Sequence, residues 1–584
     1  MHKPVTRTVH QSKEHMKLDE LDTVTLTDFA KQTLKGRYTF DNEQPEDIFK
    51  RVATAYGSNS EHSKRLLSYM QKLWLIPASP ILANGGTSRG LPISCYLNEC
   101  EDSIDGIGNH IQEILYMSTR GGGIGTYFGN VRSKGEKTSR GTETTGALQF
   151  MHIIDSVRLA SNQGNARQGS IAEWLHIDHP EIEEFILMRR LEGDVHRLNR
   201  NLDHGVSIPD EFMRCVANEE LWSLRDPHSG RVVKTIPAAY LWELLLTTRA
   251  GTGRGEPYLH FIDRSNEHLH SDLKAQGMQI KHLNLCTEVC LPTSENYSNI
   301  CALSSVNVEY FDEWSQVPNF IDDCVEYLDN IVTDFIKKAP NQLWRAKKAA
   351  EWERSVGLGQ MGFHTYLQSH MIPFESATAV SVNLKIAKFI HSSAMQAKDR
   401  LSKERGPAKG LTKDRMAHVI AIAPNATTSI IANTSPSIEP WDSNFFLHKT
   451  IAGAFAVRNK HLERLLEEKL SGPELETAWQ SILANEGSVQ HLPELTELEK
   501  SVFKTAYEIN QHAVVKLAAD RQQFICQSQS VNLFFPARAD KGYVDSVHFS
   551  AWKSGLKSLY YYRSKSELNG SVVSFDSNCI SCEG

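Results

Sequence analysis

Between about residues 77 and 440 the chain alternates short apolar runs with amphipathic helical stretches and glycine-rich turns, and this rhythm constrains its fold most. The runs SCYLN (94–98), GVSI (205–208), LNLCTEVCL (283–291) and HVIAIAP (418–424) read as strands or strand ends. Helical patterns at 180–191 and 318–337 lie between them. Strands separated by helices are joined by crossovers rather than hairpins, which predicts an α/β core with mainly parallel strands. Upstream, Leu26, Phe29, Ala30 and Leu34 fall on one helix face. PEDIFKRVATAY (45–56) repeats the pattern, with Pro45 suited to a helix start. Residues 456–535 are rich in Leu, Glu and Lys and read as helical again. The expected division is a leader (1–20), a helical region (21–77), the α/β core (78–440), a mainly helical region (441–564) and a mobile tail (565–584).

At 584 residues the chain exceeds what one small core uses. Its net charge of −7 gives no global attraction for nucleic acid, so phosphates must be bound locally. No apolar run approaches the roughly 18–20 residues that span a bilayer. The opening MHKPVTRTVHQSKEHMK has no apolar h-region, so the cytoplasm is the expected compartment. Thiols stay reduced there. The ten cysteines are then not a disulfide framework, and most should pack as small hydrophobes.

Several segments carry chemistry. If NLCTE (284–288) is a strand, period-2 alternation puts Asn284, Cys286 and Glu288 on one face. That face is either a small polar site or a solvated face with a buried thiol. Cys95 and Cys301 sit in strand-like apolar contexts, and spacing alone does not bring them together. APNATTSI (423–430) reads as a turn entering a helix. Its small residues and hydroxyls suit either a phosphate or a plain N-cap. The glycine-rich loops 120–132 and 161–170 fit neither a dinucleotide fingerprint nor a Walker A loop. LYYYRS (559–564) is aromatic packing or a relay. Cys579 and Cys582 form a terminal CxxC. With no second CxxC or paired histidines nearby, a redox dithiol is the better reading than half a zinc site.

Taken in order, ASPILANGGTSRGLPISCYL (78–97), NLCTE (284–288), CALSSVN (301–307), APNATTSI (423–430), FICQSQSVNLF (524–534), GLKSLYYYRS (555–564) and CISC resemble the large subunit of class I ribonucleotide reductases. The resemblance runs from about residue 21 to the C-terminus. It implies a ten-stranded α/β barrel: two five-stranded parallel halves, antiparallel to each other, around a central finger loop. It implies that Cys286 forms the thiyl radical, Glu288 is the base for the 3′-hydroxyl, and Asn284 binds the ribose hydroxyls. Cys95 and Cys301 match the reducing dithiol, and Cys579 and Cys582 the shuttle that thioredoxin or glutaredoxin resets. Tyr560 and Tyr561 match the stacked pair that receives the radical from a metal-containing small subunit. Tyr562 falls where relatives carry an aliphatic residue and is left out. Ser79, Ser94, Gly123, Asn425, Ala426, Thr427, Thr428 and Ser429 match contacts to a nucleoside diphosphate substrate. Asp102 and Arg132 match the specificity site for a deoxynucleoside triphosphate or ATP, formed at a homodimer interface. Arg167 and Gln168 lie on the loop (about 162–169) that carries its signal.

On this reading the chain itself binds no metal or resident cofactor. Family-like sequence begins near residue 21, so an N-terminal ATP-cone, and with it shutdown by dATP, is not expected. An adenosylcobalamin-dependent reductase shares the barrel but needs no tyrosine relay. A glycyl-radical reductase would need a C-terminal glycyl motif, which is missing. A non-catalytic paralogue would have lost a chemical residue, whereas Cys286, Glu288, Asn284, Cys95 and Cys301 are all present.

Overall fold

The computed structural model describes residues 23–161, 169–189, 199–251, 254–450 and 453–565. Among the described residues three helices come first, Asp28–Arg37, Asp47–Tyr56 and Ser60–Gln71. Leu26, Ala30 and Leu34 bury as their spacing predicts, and Phe29 stacks on Phe455 at 5.0 Å.

Among the described residues fifteen strands follow. The first ten are β1 (Leu75–Pro77), β2 (Cys95–Glu99), β3 (Gly123–Tyr127), β4 (Ser170–His176), β5 (Asp203–Ile208), β6 (Leu221–Arg225), β7 (Val232–Pro237), β8 (Tyr258–Phe261), β9 (Asn299–Asn307) and β10 (Val356–Met361). The last five are β11 (Phe445–Thr450), β12 (Gly453–Arg458), β13 (Leu533–Phe535), β14 (Ser558–Leu559) and β15 (Tyr562–Ser564). β6–β7 and β11–β12 are hairpins outside the main sheet.

β2, β3, β4, β5 and β8 pair in parallel in that order. Helices Ile104–Ser118, Ala147–Ser161, Ile182–Leu187 and Ala238–Gly251 cross between them. Both faces are covered, which is why β2, β3 and β8 are buried along their whole length. β9 runs antiparallel to β2 and parallel to β10, starting a second half. Residues 418–422 continue it: Leu358 N–H donates to Val419 O at 2.8 Å. Next, Ile422 N–H donates to Ser528 O (3.1 Å), and Tyr560 N–H donates to Val531 O (2.9 Å). β14 then runs antiparallel to β8, closing the circuit. Two five-membered parallel halves thus meet antiparallel at both seams, as the resemblance implies. The last two positions come from beyond residue 440, inside the stretch read as mainly helical.

The segment 281–293 runs through the barrel. Its passage needs glycine on the neighbouring strand: a Cβ on Gly125 would lie 1.9 Å from Leu283 O. Among the described residues no helix is long and apolar enough to cross a membrane.

Candidate active site

At the tip of this loop the strand reading of NLCTE fails. Residues 285–287 form a turn, and Thr287 takes φ 66°. A strand cannot reverse inside the barrel, so alternation does not position these side chains. The turn groups them instead. Asn284 Oδ1 accepts from Val289 N–H at 3.0 Å across the turn, and its amide donates to Cys95 Sγ at 3.1 Å. The Cys95 thiol donates to Glu288 Oε1 at 3.6 Å.

Cys95 and Cys301 are directly opposite in the β2–β9 register. Antiparallel neighbours are about 4.5–5.5 Å apart at Cα, within disulfide reach. Both are buried. Gln527 Nε2 donates to Cys301 Sγ at 3.7 Å, and a Cβ on Gly357 would lie 3.2 Å from that sulfur. Burial first, then the charges of Glu288, Cys526 and Glu353, hold the Cys301 thiol well above its ordinary pKa, against the Gln527 hydrogen bond. It is a protonated donor at neutral pH. Burial also raises the Glu288 carboxyl, opposed by hydrogen bonds from Asn284, Cys95 and Ser530.

Cys286 belongs to a buried cluster with Tyr258, Tyr560 and Tyr561. The Tyr560 and Tyr561 rings are 4.2 Å apart and tilted by 50°. Burial, then the neighbouring Cys286 thiol, keeps the Tyr560 phenol well above its usual pKa. Tyr258 on β8 touches both rings, at 4.8 and 5.1 Å. Tyr562 stacks on Phe535 at 4.6 Å and away from this path, so it is packing.

The matched substrate residues gather at one end of the barrel. Asn425 has φ 58° and caps the helix Ala426–Ala432, with Thr427, Thr428 and Ser429 in its first turns. Asn425 Nδ2 donates to Ser305 Oγ on β9 at 3.0 Å. Arg37 donates to Thr427 Oγ1 at 3.3 Å, and the next residue, Tyr38, shares a hydrogen bond with Ser79 at 2.9 Å. Gly123 N–H donates to Ser94 O at 2.7 Å. A Cβ on Gly123 would lie 3.2 Å from Leu285, next to Cys286. Asp102 pairs with Arg132 at 2.7 Å, and His228 lies 3.5 Å from the same carboxylate. Arg167, Gln168, Cys579 and Cys582 lie outside the described residues.

A family model described as the ribonucleotide reductase barrel domain matches residues 93–420 and 414–562, and one described as its all-alpha domain matches 24–90. The chain belongs to the ribonucleotide reductase family, as a class I large subunit. A large-subunit relative in Frog virus 3 is 43% identical, covering 92% of this chain and 95% of its own. The ribonucleoside-diphosphate reductase large subunit of Invertebrate iridescent virus 3 is 40% identical, with 95% and 97% covered. The solved class Id ribonucleotide reductase alpha subunit of Actinobacillus ureae superposes with TM-score 0.82 at 32% identity, covering 93% of this chain and 97% of that one.

Sequence reasoning passed over the residues that hold the reductase loop in place. Ser530 Oγ donates to Cys286 O at 2.5 Å and to Glu288 Oε2 at 3.5 Å. Ser558 Oγ donates to Thr287 O at 3.2 Å, and Gln527 Oε1 accepts from Cys290 N–H at 3.2 Å. The available signal was QSQS (527–530), four polar residues in an apolar run, all buried. Buried polar side chains need partners, and Gln527 and Ser530 find theirs in the loop.

Proposed function

We propose that the chain reduces ribonucleoside diphosphates to 2′-deoxyribonucleotides by thiyl-radical chemistry at Cys286. The observation that carries this is one convergence. The Asn284 amide and Glu288 carboxylate both meet the Cys95 thiol, Cys95 faces Cys301, and Cys286 sits against Tyr560.

On this reading a metal-containing small subunit oxidises Tyr561, the hole passes to Tyr560, and Cys286 becomes the thiyl. Cys286 takes the 3′-hydrogen atom and later returns it. Glu288 accepts the 3′-hydroxyl proton, which its ionised form must do. Asn284 orients the ribose. The 2′-hydroxyl leaves as water, protonated from the Cys95–Cys301 dithiol. The two electrons come from those thiols as they become a disulfide, their second hydrogen goes to C2′, and Glu288 returns its proton to O3′. Cys579 and Cys582 reduce that disulfide and are reset by thioredoxin or glutaredoxin. The hydroxyls of Ser79, Thr427, Thr428 and Ser429, with Asn425, Ala426, Ser94 and Gly123, bind the substrate. Asp102 and Arg132, with Arg167 and Gln168, read a deoxynucleoside triphosphate or ATP.

A homodimer fits the helices Ile104–Ser118 and Ala147–Ser161, which leave Leu115, Ile153 and Leu159 exposed beside that site. The cytoplasm fits the reduced thiols. A reduction assay run three ways tests the class: chain alone, with adenosylcobalamin, and with a class I small subunit. Activity is expected only with the small subunit. Activity with cobalamin alone would overturn the reading.

A further inference from the structure

Glu99 ends β2 and is buried, 4% exposed. Three chain segments share its carboxylate. Lys281 Nζ donates to both oxygens, at 2.9 and 3.1 Å. Thr293 Oγ1 donates to Oε2 at 2.7 Å, and Asn130 Nδ2 donates to Oε1 at 3.1 Å. Lys281 also reaches Asn130 Oδ1 at 3.5 Å.

Lys281 and Thr293 are the two stems of the loop that carries Cys286. Among the described residues the loop forms no ladder with a strand of the barrel, so side-chain ties help to set how far its tip reaches. A carboxylate has about four acceptor sites, enough to hold both stems and a third segment together. Hydrogen bonds to it are charge-assisted, roughly twice as strong as neutral ones. The same segments lead on to the specificity pair. Asp102 lies three residues past Glu99 and Arg132 two past Asn130, and the two are joined at 2.7 Å. One buried carboxylate therefore links the base of the radical loop to the strand ends that bear this pair.

We propose that Glu99 is a positioning residue for the radical loop, fixing the Cys286 tip against Tyr560 and Cys95 and tying that position to the Asp102–Arg132 pair. The proposal rests on the reading of Cys286 given above. Glu99→Gln keeps the size but loses the charge and one acceptor, so the two stems are no longer held together. A misplacement of about 1 Å at a reacting centre costs on the order of 100-fold. For Glu99→Gln, assayed with its small subunit, kcat should fall about 10- to 100-fold with KM changed less than about twofold. The shift in the CDP-to-GDP reduction ratio on adding dTTP should shrink. Glu99→Asp, which restores the charge, should recover part of kcat and of the dTTP response.

Thr293→Val removes one stem tie and strands no charge, so it carries the test should Glu99→Gln fail to fold. Its kcat should fall severalfold, with the unfolding midpoint near wild type. Wild-type kcat and dTTP response in Thr293→Val and in any folded Glu99→Gln protein would overturn the proposal. So would a rise in KM at unchanged kcat. Turnover by Cys286→Ser would instead overturn the radical reading, so the two failures are distinguishable.

Discussion

The stem of the Cys286 loop and the backbone of its tip are held by different halves of the barrel, while the side chains of Asn284 and Glu288 reach back to Cys95 on β2. The stem is tied to the first half, through Glu99 on β2 and through the close passage of Leu283 over Gly125 on β3. The tip is tied to the second half, where Ser530, Ser558, Ser528 and Gln527 bond its backbone. The first half consists of full ladders with helical crossovers. Two positions of the second half have only isolated bridges, Leu358 with Ile420 and Ile422 with Gln529. Gln527 and Ser530 flank the second bridge, and their side chains meet the loop that carries Cys286. The difference teaches a division of labour, in which the regular half fixes where the loop enters and the irregular half shapes its reactive turn.

The largest expected effect comes from breaking the stem. Gly125→Ala places a methyl group into the Leu283 carbonyl, and neither backbone can yield cheaply. Overpacking of this kind costs about 1–3 kcal/mol or more. Thermal unfolding should show a clearly lowered midpoint, together with lost turnover; a wild-type midpoint would mean that the loop does not run tightly against β3.

Tyr560→Phe leaves the stem and the packing alone and removes one hydroxyl. Turnover should drop below detection while the unfolding midpoint stays close to wild type. Normal turnover would show that the radical does not pass this ring.

Ser530→Ala weakens the tip alone. It removes the hydroxyl that bonds both the Cys286 carbonyl and Glu288, a loss of about 1 kcal/mol. A kcat decrease of roughly fivefold to tenfold is expected, with KM little changed. An effect confined to KM would place Ser530 in binding rather than in shaping the turn.

The smallest effect is on pH dependence. Glu288 must be ionised to accept a proton, and burial raises its pKa. Activity should therefore fall with decreasing pH along a limb whose midpoint lies above the ordinary carboxylate value, because more of the group is protonated there. By linkage, a raised carboxyl pKa also means that ionising Glu288 costs folding stability as pH rises through and above that value. In the residual activity of Glu288→Gln the acid limb should be absent. A limb at or below the ordinary carboxylate value would contradict the burial argument.

Elements of both halves were legible in the sequence. SCYLN and GVSI became β2 and β5, and the 318–337 pattern became the helix Phe320–Lys338, because each depends on local periodicity. The tip was not legible by the same means. Period-2 alternation assumed a strand at 284–288, and the chain turns there on Thr287. Its partners Ser530 and Ser558 lie more than 240 residues away in sequence, beyond any local pattern. Cys95 and Cys301 were recognisable as cysteines in strands, but only the antiparallel register of β2 with β9 makes them a pair. The resemblance to the reductases supplied what periodicity could not, the order of the motifs around a closed barrel.

The central claim is that Cys286, poised between these two sets of ties, performs the radical chemistry. It is tested most directly by assaying CDP reduction by Cys286→Ser with a class I small subunit, alongside a check of its unfolding midpoint. No deoxynucleotide product is expected from a protein folded like wild type. Product formation at a substantial fraction of the wild-type rate would contradict it.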